Sequence, residues 1–138
     1  MKTLYETDFH KWIEEQSAFL KNREFQKLNI EHLLEEIKNM GITEKRIVQS
    51  HLLNLLIHLI KQNVQPERAG KSWGDSITAA RAQIKLYTDE SKILKKHLEE
   101  VYLKTYQKAR EAASKEMKME SRAISSSCPW SIKEALGD

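Results

Sequence analysis

His51, Asn54 and His58 are the first side chains in this sequence that could do chemistry together. On a helix turning about 100° per residue they form one polar stripe. Two histidines on one face suggest a metal, but ligand pairs on a helix usually stand three or four residues apart. Seven residues is about 10.5 Å of rise, too far for one ion. The stripe reads better as a polar edge whose histidines hydrogen-bond at a helix–helix seam. His32, Glu35 and Glu36 raise a second possibility, because carboxylate bundles that hold two metal ions use Glu-x-x-His twice, with glutamates from two further helices. Here the order is His-x-x-Glu and no second copy exists. His32 also points about 140° away from Ile37, the centre of the local apolar stripe, so a solvated face is expected.

Gln16 lies inside an apolar stripe, between Trp12 or Ile13 and Phe19 or Leu20. A buried amide without partners costs roughly 1–3 kcal/mol, so Gln16 should bond a polar group of another helix. His58, Asn54 and Arg81 are the candidates. Gln65, Arg68, Trp73 and Arg81 cluster around one break in the chain. Trp and Arg dominate interface hot spots, so a corner that binds a peptide or an anion is one reading. The plainer one is a turn pinned by Trp73, with an arginine on backbone carbonyls. Cys128 precedes Pro129 in a polar tail, and no neighbour in sequence supplies the base that a nucleophilic thiol needs. No glycine-rich phosphate loop, zinc spacing or other cofactor motif is present.

The elements that must position these side chains are helices. Ile47, Val48, Leu52, Leu53, Leu55, Leu56, Ile57, Leu59, Ile60 and Val64 form a band roughly 200° wide on one helix from about 44 to 64. A band that wide needs neighbours on several sides, so this helix should be central. A helix capped by Thr7 or Asp8 precedes it, with Phe9, Trp12, Ile13, Gln16, Phe19 and Leu20 on one face. Asn29 can cap the next, with Ile30, Leu33, Leu34, Ile37 and Met40 as its stripe. Gly41 is either its stop or a kink in one longer helix. Pro66 and Gly70 break the chain, and Ser72 can cap a helix carrying Trp73, Ile77, Ala80, Ile84 and Tyr87. Thr88–Ser91 reads as a loop. Ser91 can cap the longest helix, about 92–117, with Leu94, Leu98, Val101, Thr105, Ala109 and Ala112 on its main face. Residues 114–127 read as loosely ordered and 130–136 as a last helical turn. The fold expected is all-α, a four- to five-helix bundle in a single domain over 1–138.

Composition agrees with that fold. Hydrophobic residues make up 40% and charged residues 31%, with four glycines and two prolines, too few breakers to punctuate a sheet. Residues 1–40 carry six basic and eight acidic side chains, and the remainder seventeen and twelve. Lysine and glutamate alternate in the basic part, as on a solvated helix face rather than the dense basic stripe of a nucleic-acid binder. The first residues carry acids where a signal peptide would need an apolar stretch, so a cytoplasmic location is expected. The apolar run 52–60 is too short to span a membrane.

Tyr5-Glu-Thr-Asp-Phe-His-Lys-Trp12 followed by Glu15-Gln16 resembles the opening of the domain of unknown function 29 family. Glu31-His-Leu-Leu-Glu-Glu-Ile37 with Gly41 is similar to its second block, and Ser50-His-Leu, Leu55–Lys61 and Gln65-Pro66 to its third. Arg68, Ser72-Trp73, Ile77 and Arg81, then Ala109-Arg110 and Cys128-Pro129-Trp130, complete the ordered set. Asn29 stands where the family often has Asp, and Asp89-Glu90-Ser91 lacks the proline often found before the long helix. The resemblance implies a small, largely bacterial, all-helical domain and no assigned reaction, ligand or cofactor.

Three functions compete. The leading one is a protein-interaction or regulatory module without catalysis, whose partner is another protein or a second copy; a toxin's neutraliser would fit the size. Apolar excess around the 44–64 helix and the flank of the 92–117 helix motivates it. The second is a small enzyme or metal-binding bundle with a polar site between the first, third and fourth of the expected helices, built from Gln16, His58, Arg81 and Glu15. The third is weak nucleic-acid binding through the last two long helices.

Overall fold

The computed structural model describes every residue from Met1 to Asp138. The chain is helical throughout, with no strand. In order come α1 (Leu4–Thr7), α2 (Phe9–Lys21), α3 (Ile30–Val64), α4 (Lys71–Glu90), α5 (Lys92–Glu116) and α6 (Ile132–Ala135). Single 3₁₀ turns lie at Phe25–Lys27, Pro66–Arg68 and Ser121–Ala123. Four of the six helices are long, and α3 is the central one, as its apolar band predicts. Two compact units divide the chain, Met1–Thr43 and Glu44–Asp138, and α3 runs from the first into the second.

The first unit is a pair of helices joined by a short connector. Asp8 caps α2 by accepting a hydrogen bond from the Lys11 backbone N–H at 3.2 Å. The C-terminus of α2 closes with Arg23 in the left-handed region, φ 56°. There Glu24 N–H donates to Phe19 O and Arg23 N–H to Leu20 O, the pairing that satisfies the last carbonyls of a helix. Asn29 accepts from the His32 N–H at 3.4 Å and starts α3. Only Trp12 and Gln16 of α2 are buried.

The second unit holds the core. Val48, Leu52, Leu55, Leu56, Leu59 and Ile60 of α3 are buried against Ile77, Ala80 and Ile84 of α4 and Leu94, Leu98, Tyr102 and Tyr106 of α5. The alanines Ala109 and Ala113 are fully buried. The hydroxyl of Thr105 on α5 accepts from the Gln49 amide of α3 at 3.4 Å. Ser91 caps α5, as its type suggests, by accepting from the Leu94 N–H at 3.2 Å.

Of the two readings open at Gly41, the longer helix is the one formed: α3 is one 35-residue helix through it. A lone glycine costs about 1 kcal/mol in a helix, too little to end one that is held elsewhere along its length. The Thr88–Ser91 loop shrinks to Ser91 alone, because Thr88 stays helical and returns its hydroxyl to the Ile84 carbonyl at 2.9 Å. Ser72 is not a cap, since α4 begins at Lys71 behind Gly70. The stripe of residues 30–40, read as a packing face, is largely exposed at Ile30, Leu34, Ile37 and Met40.

Two stability outcomes follow from these positions. Leu56 is fully buried, so Leu56→Ala should lower unfolding stability by about 2–5 kcal/mol in urea titration. Lys118 sits at φ 54° just past α5, where glycine is unstrained, so Lys118→Gly should raise stability by about 1 kcal/mol in the same assay.

Candidate functional site

In the first unit, α2 and the start of α3 leave an apolar groove of about 380 Å³. Phe9, Trp12, Ile13, Leu20, Leu33, Ile37 and Met40 line it, with Gln16, Ser17 and Glu36 as its polar members. Helical spacing explains both walls: 9, 13, 16 and 20 on α2, and 33, 36, 37 and 40 on α3, each fall on one side. The floor is fixed by Trp12, only 4% exposed, whose indole N–H is buried without an acceptor. Gln16 is buried beside it.

Gln16 has a partner other than those expected. Its amide oxygen accepts from the Asn29 backbone N–H at 2.8 Å. That donor stands at the start of α3, where no intrahelical carbonyl can reach it, so the buried amide and the orphan backbone group satisfy each other. His58, Asn54 and Arg81 are not involved.

A polar cluster stands beside this arrangement, and sequence reading singled out only part of it. The Tyr5 phenol donates to the Glu36 carboxylate. The Tyr5 ring stacks on His32 with centroids 3.9 Å apart and meets Trp12 edge-on at 4.6 Å. Asn29 and His32 are joined side chain to side chain at 2.7 Å. His32 is therefore half-buried rather than solvated. The hydrogen bond to Glu36 pushes the Tyr5 phenol up to about 12, with desolvation and the Glu35 charge acting in the same direction. Tyr5 is thus a neutral donor at any ordinary pH. The 5, 9, 12 aromatic spacing was the available sign; the partner across the connector was not readable.

In the second unit the remaining sequence candidates are separately engaged. His58 donates its Nδ1 hydrogen to the Asn54 carbonyl of its own helix at 2.8 Å. Arg81 donates to the Ala135 carbonyl at 2.9 Å and so holds α6. Gly137 lies against that guanidinium: at φ 81° a side chain there would be strained, and its Cβ would stand 3.2 Å from Arg81. Trp73 is half-buried with the Lys61 ammonium over its ring at 5.8 Å, and Lys61 also pairs with Glu116 at 2.6 Å. Gln65 is half-buried, and Arg68 is exposed in its 3₁₀ turn. No hydrogen bond joins any two of Gln16, His58, Gln65, Arg68, Trp73 and Arg81. No group of three or more His, Cys, Asp or Glu side chains converges as metal ligands would.

The tail after α5 is strapped down by one row of that helix. Tyr106 donates to Ser125 O at 2.6 Å, Gln107 to Ser126 O at 2.8 Å and Arg110 to Ile124 O at 3.0 Å. Tyr102 donates to Trp130 O at 2.8 Å, and the Cys128 thiol donates to Tyr102 at 3.4 Å. Cys128 is thus a neighbour of two tyrosines rather than of a base. Burial pushes the Tyr102 phenol up strongly, with Cys128 adding to it, and raises Tyr106 as well. A cavity of about 460 Å³ near the α4–α5 junction is lined by Lys85, Lys92 and Lys95 but also by Asp89, Glu99 and Asp138. Of these lysines, Lys85 is tied to Asp138 at 2.7 Å.

Residues 4–138 match the family described as Domain of unknown function DUF29, and the chain belongs to it. No curated protein and no solved structure matches the chain. No helix is long and apolar enough to cross a membrane.

Because the folded pKa of Tyr102 lies above its ordinary 10.0, its stabilising effect is complete below pH 10 and is lost as pH rises toward the folded value. Urea midpoints should fall between pH 9 and pH 11. Tyr102→Phe should cost about 0.5–1.5 kcal/mol at pH 8 and show a shallower alkaline decline.

Proposed function

We propose that this chain is a non-catalytic protein-interaction module that takes the apolar face of a helix into the groove between α2 and the start of α3. The observation that carries this reading is the exposure there. Ile37 is 64% exposed and Met40 69% on the α3 wall, and Leu20 49% on the α2 wall, although later turns of α3 bury the same kinds of residue. Monomeric proteins seldom leave contiguous apolar surface of this kind, and where they do it marks a docking site. A groove between two helices with apolar walls at i, i+3, i+4 and i+7 fits a third helix, which offers the same periodicity in return. Glu36, Gln16 and Ser17 supply the few polar groups that would fix its orientation. Catalysis is not favoured. The titratable group nearest the groove is Tyr5–Glu36, in which the carboxylate is engaged and the phenol held neutral. A cytoplasmic, regulatory role accords with this reading.

Ile37→Glu tests it, since an exposed residue can be changed without loss of fold. Circular dichroism and thermal melting of the variant should match the unaltered protein. The unaltered protein should either bind a fluorescent apolar dye or associate in light scattering, and the variant should do neither. A strict monomer that binds no dye would overturn the reading.

A further inference from the structure

Resting on the docking reading above, we infer that the helix received here is the first part of α3 from a second copy of the chain, packed antiparallel about a two-fold axis along the exposed face of α3 that borders the groove. The argument is self-complementarity in shape and charge. Ile30, Leu34, Ile37 and Gly41 recur at 4, 3, 4 spacing, the seam of a two-stranded helical contact. All four are exposed, and a Cβ built on Gly41 would meet nothing within 4 Å. When that seam is laid antiparallel on itself, Leu34 faces the partner's Ile37 and Ile30 faces the partner's Gly41. Ile30 thus meets the one position with no side chain, twice over, as an isologous contact requires.

The flanks obey the same rule. Glu31 and Lys38 sit seven residues apart on one side of the seam, and both are exposed. In the antiparallel register Glu31 lies beside the partner's Lys38 and Lys38 beside the partner's Glu31. In a parallel register this flank would face the partner's opposite flank, placing Lys38 beside Leu33 and leaving both charges without a partner. On the other side of the seam stand Leu33 and Met40, which line the groove and would extend the buried strip. An unrelated helix could use the groove, but nothing would require its partner face to carry this reciprocal pattern. A second copy carries it automatically.

Charge reversal reads out the register. By sedimentation or light scattering at low ionic strength, the unaltered chain should be a dimer. Glu31→Lys and Lys38→Glu should each raise the dimer dissociation constant roughly tenfold, since each places like charges in contact at both symmetric sites. The double variant Glu31→Lys/Lys38→Glu should restore it. Helical content should stay unchanged in all three, because both residues are solvent-facing. A monomer that still binds apolar dye overturns the second copy and leaves the docking reading standing. A monomer that binds no dye overturns both. A dimer whose double variant is no tighter than either single variant overturns the antiparallel contact.

Discussion

Everything in this structure follows from the apolar surface of α3. On a helical wheel Ile30, Leu34, Ile37 and Gly41 lie on the side that Val48, Leu52, Leu55 and Leu59 occupy further along. In the later turns that side is closed over by α4 and α5. Each buried aliphatic side chain there is worth about 1.5–3 kcal/mol, which accounts for the stability of the second unit. In the early turns the chain supplies no such cover. The first unit has 43 residues, near the size at which a lone core becomes marginal, and it buries only Trp12 and Gln16 of α2. That imbalance distinguishes the molecule.

Polar groups inside both units are spent on backbone. Gln16 takes up the Asn29 N–H, Arg81 the Ala135 carbonyl, and Arg110 the Ile124 carbonyl. This is the expected fate of irregular chain that lies against helices: its N–H and C=O groups have no ladder of their own and must be met by side chains. It also accounts for where two residues of interface-like type, Arg81 and Trp73, are held. Arg81 is committed to holding α6, and Trp73 lies under Lys61.

How much of this was readable in the sequence depended on the kind of interaction. The 200° band at 47–64 announced a central helix, because width of apolar surface maps directly onto the number of neighbours. Ser91 and Asp8 were legible as caps, since capping is local chemistry. Periodicity failed where it had to name a neighbour: the 30–40 stripe reads identically whether covered or bare. At Gly41 the sequence left a stop and one longer helix open, because local propensity alone does not weigh the helix on either side; the longer helix forms. Thr88–Ser91 misled because four polar residues in a row resemble a loop, though none but Ser91 leaves the helical conformation. Gln16 was rightly taken to need a partner. The partner was a backbone N–H, which every residue has and no sequence marks. The Tyr5–His32–Glu36 cluster stayed hidden for the related reason that it joins two elements across a connector.

One consequence of the tail's fastening concerns how the family can change over time. Tyr106, Gln107 and Arg110 grip carbonyl oxygens, and a carbonyl is the same whatever residue bears it. Ser125 and Ser126, both exposed, can therefore drift to almost any letter while the strap remains in place. The constraint falls on the donors one helix away. In distant relatives the hallmark of this fastening would be an aromatic, an amide and a guanidinium recurring within little more than one turn of α5, beside a tail with no recognisable pattern at all.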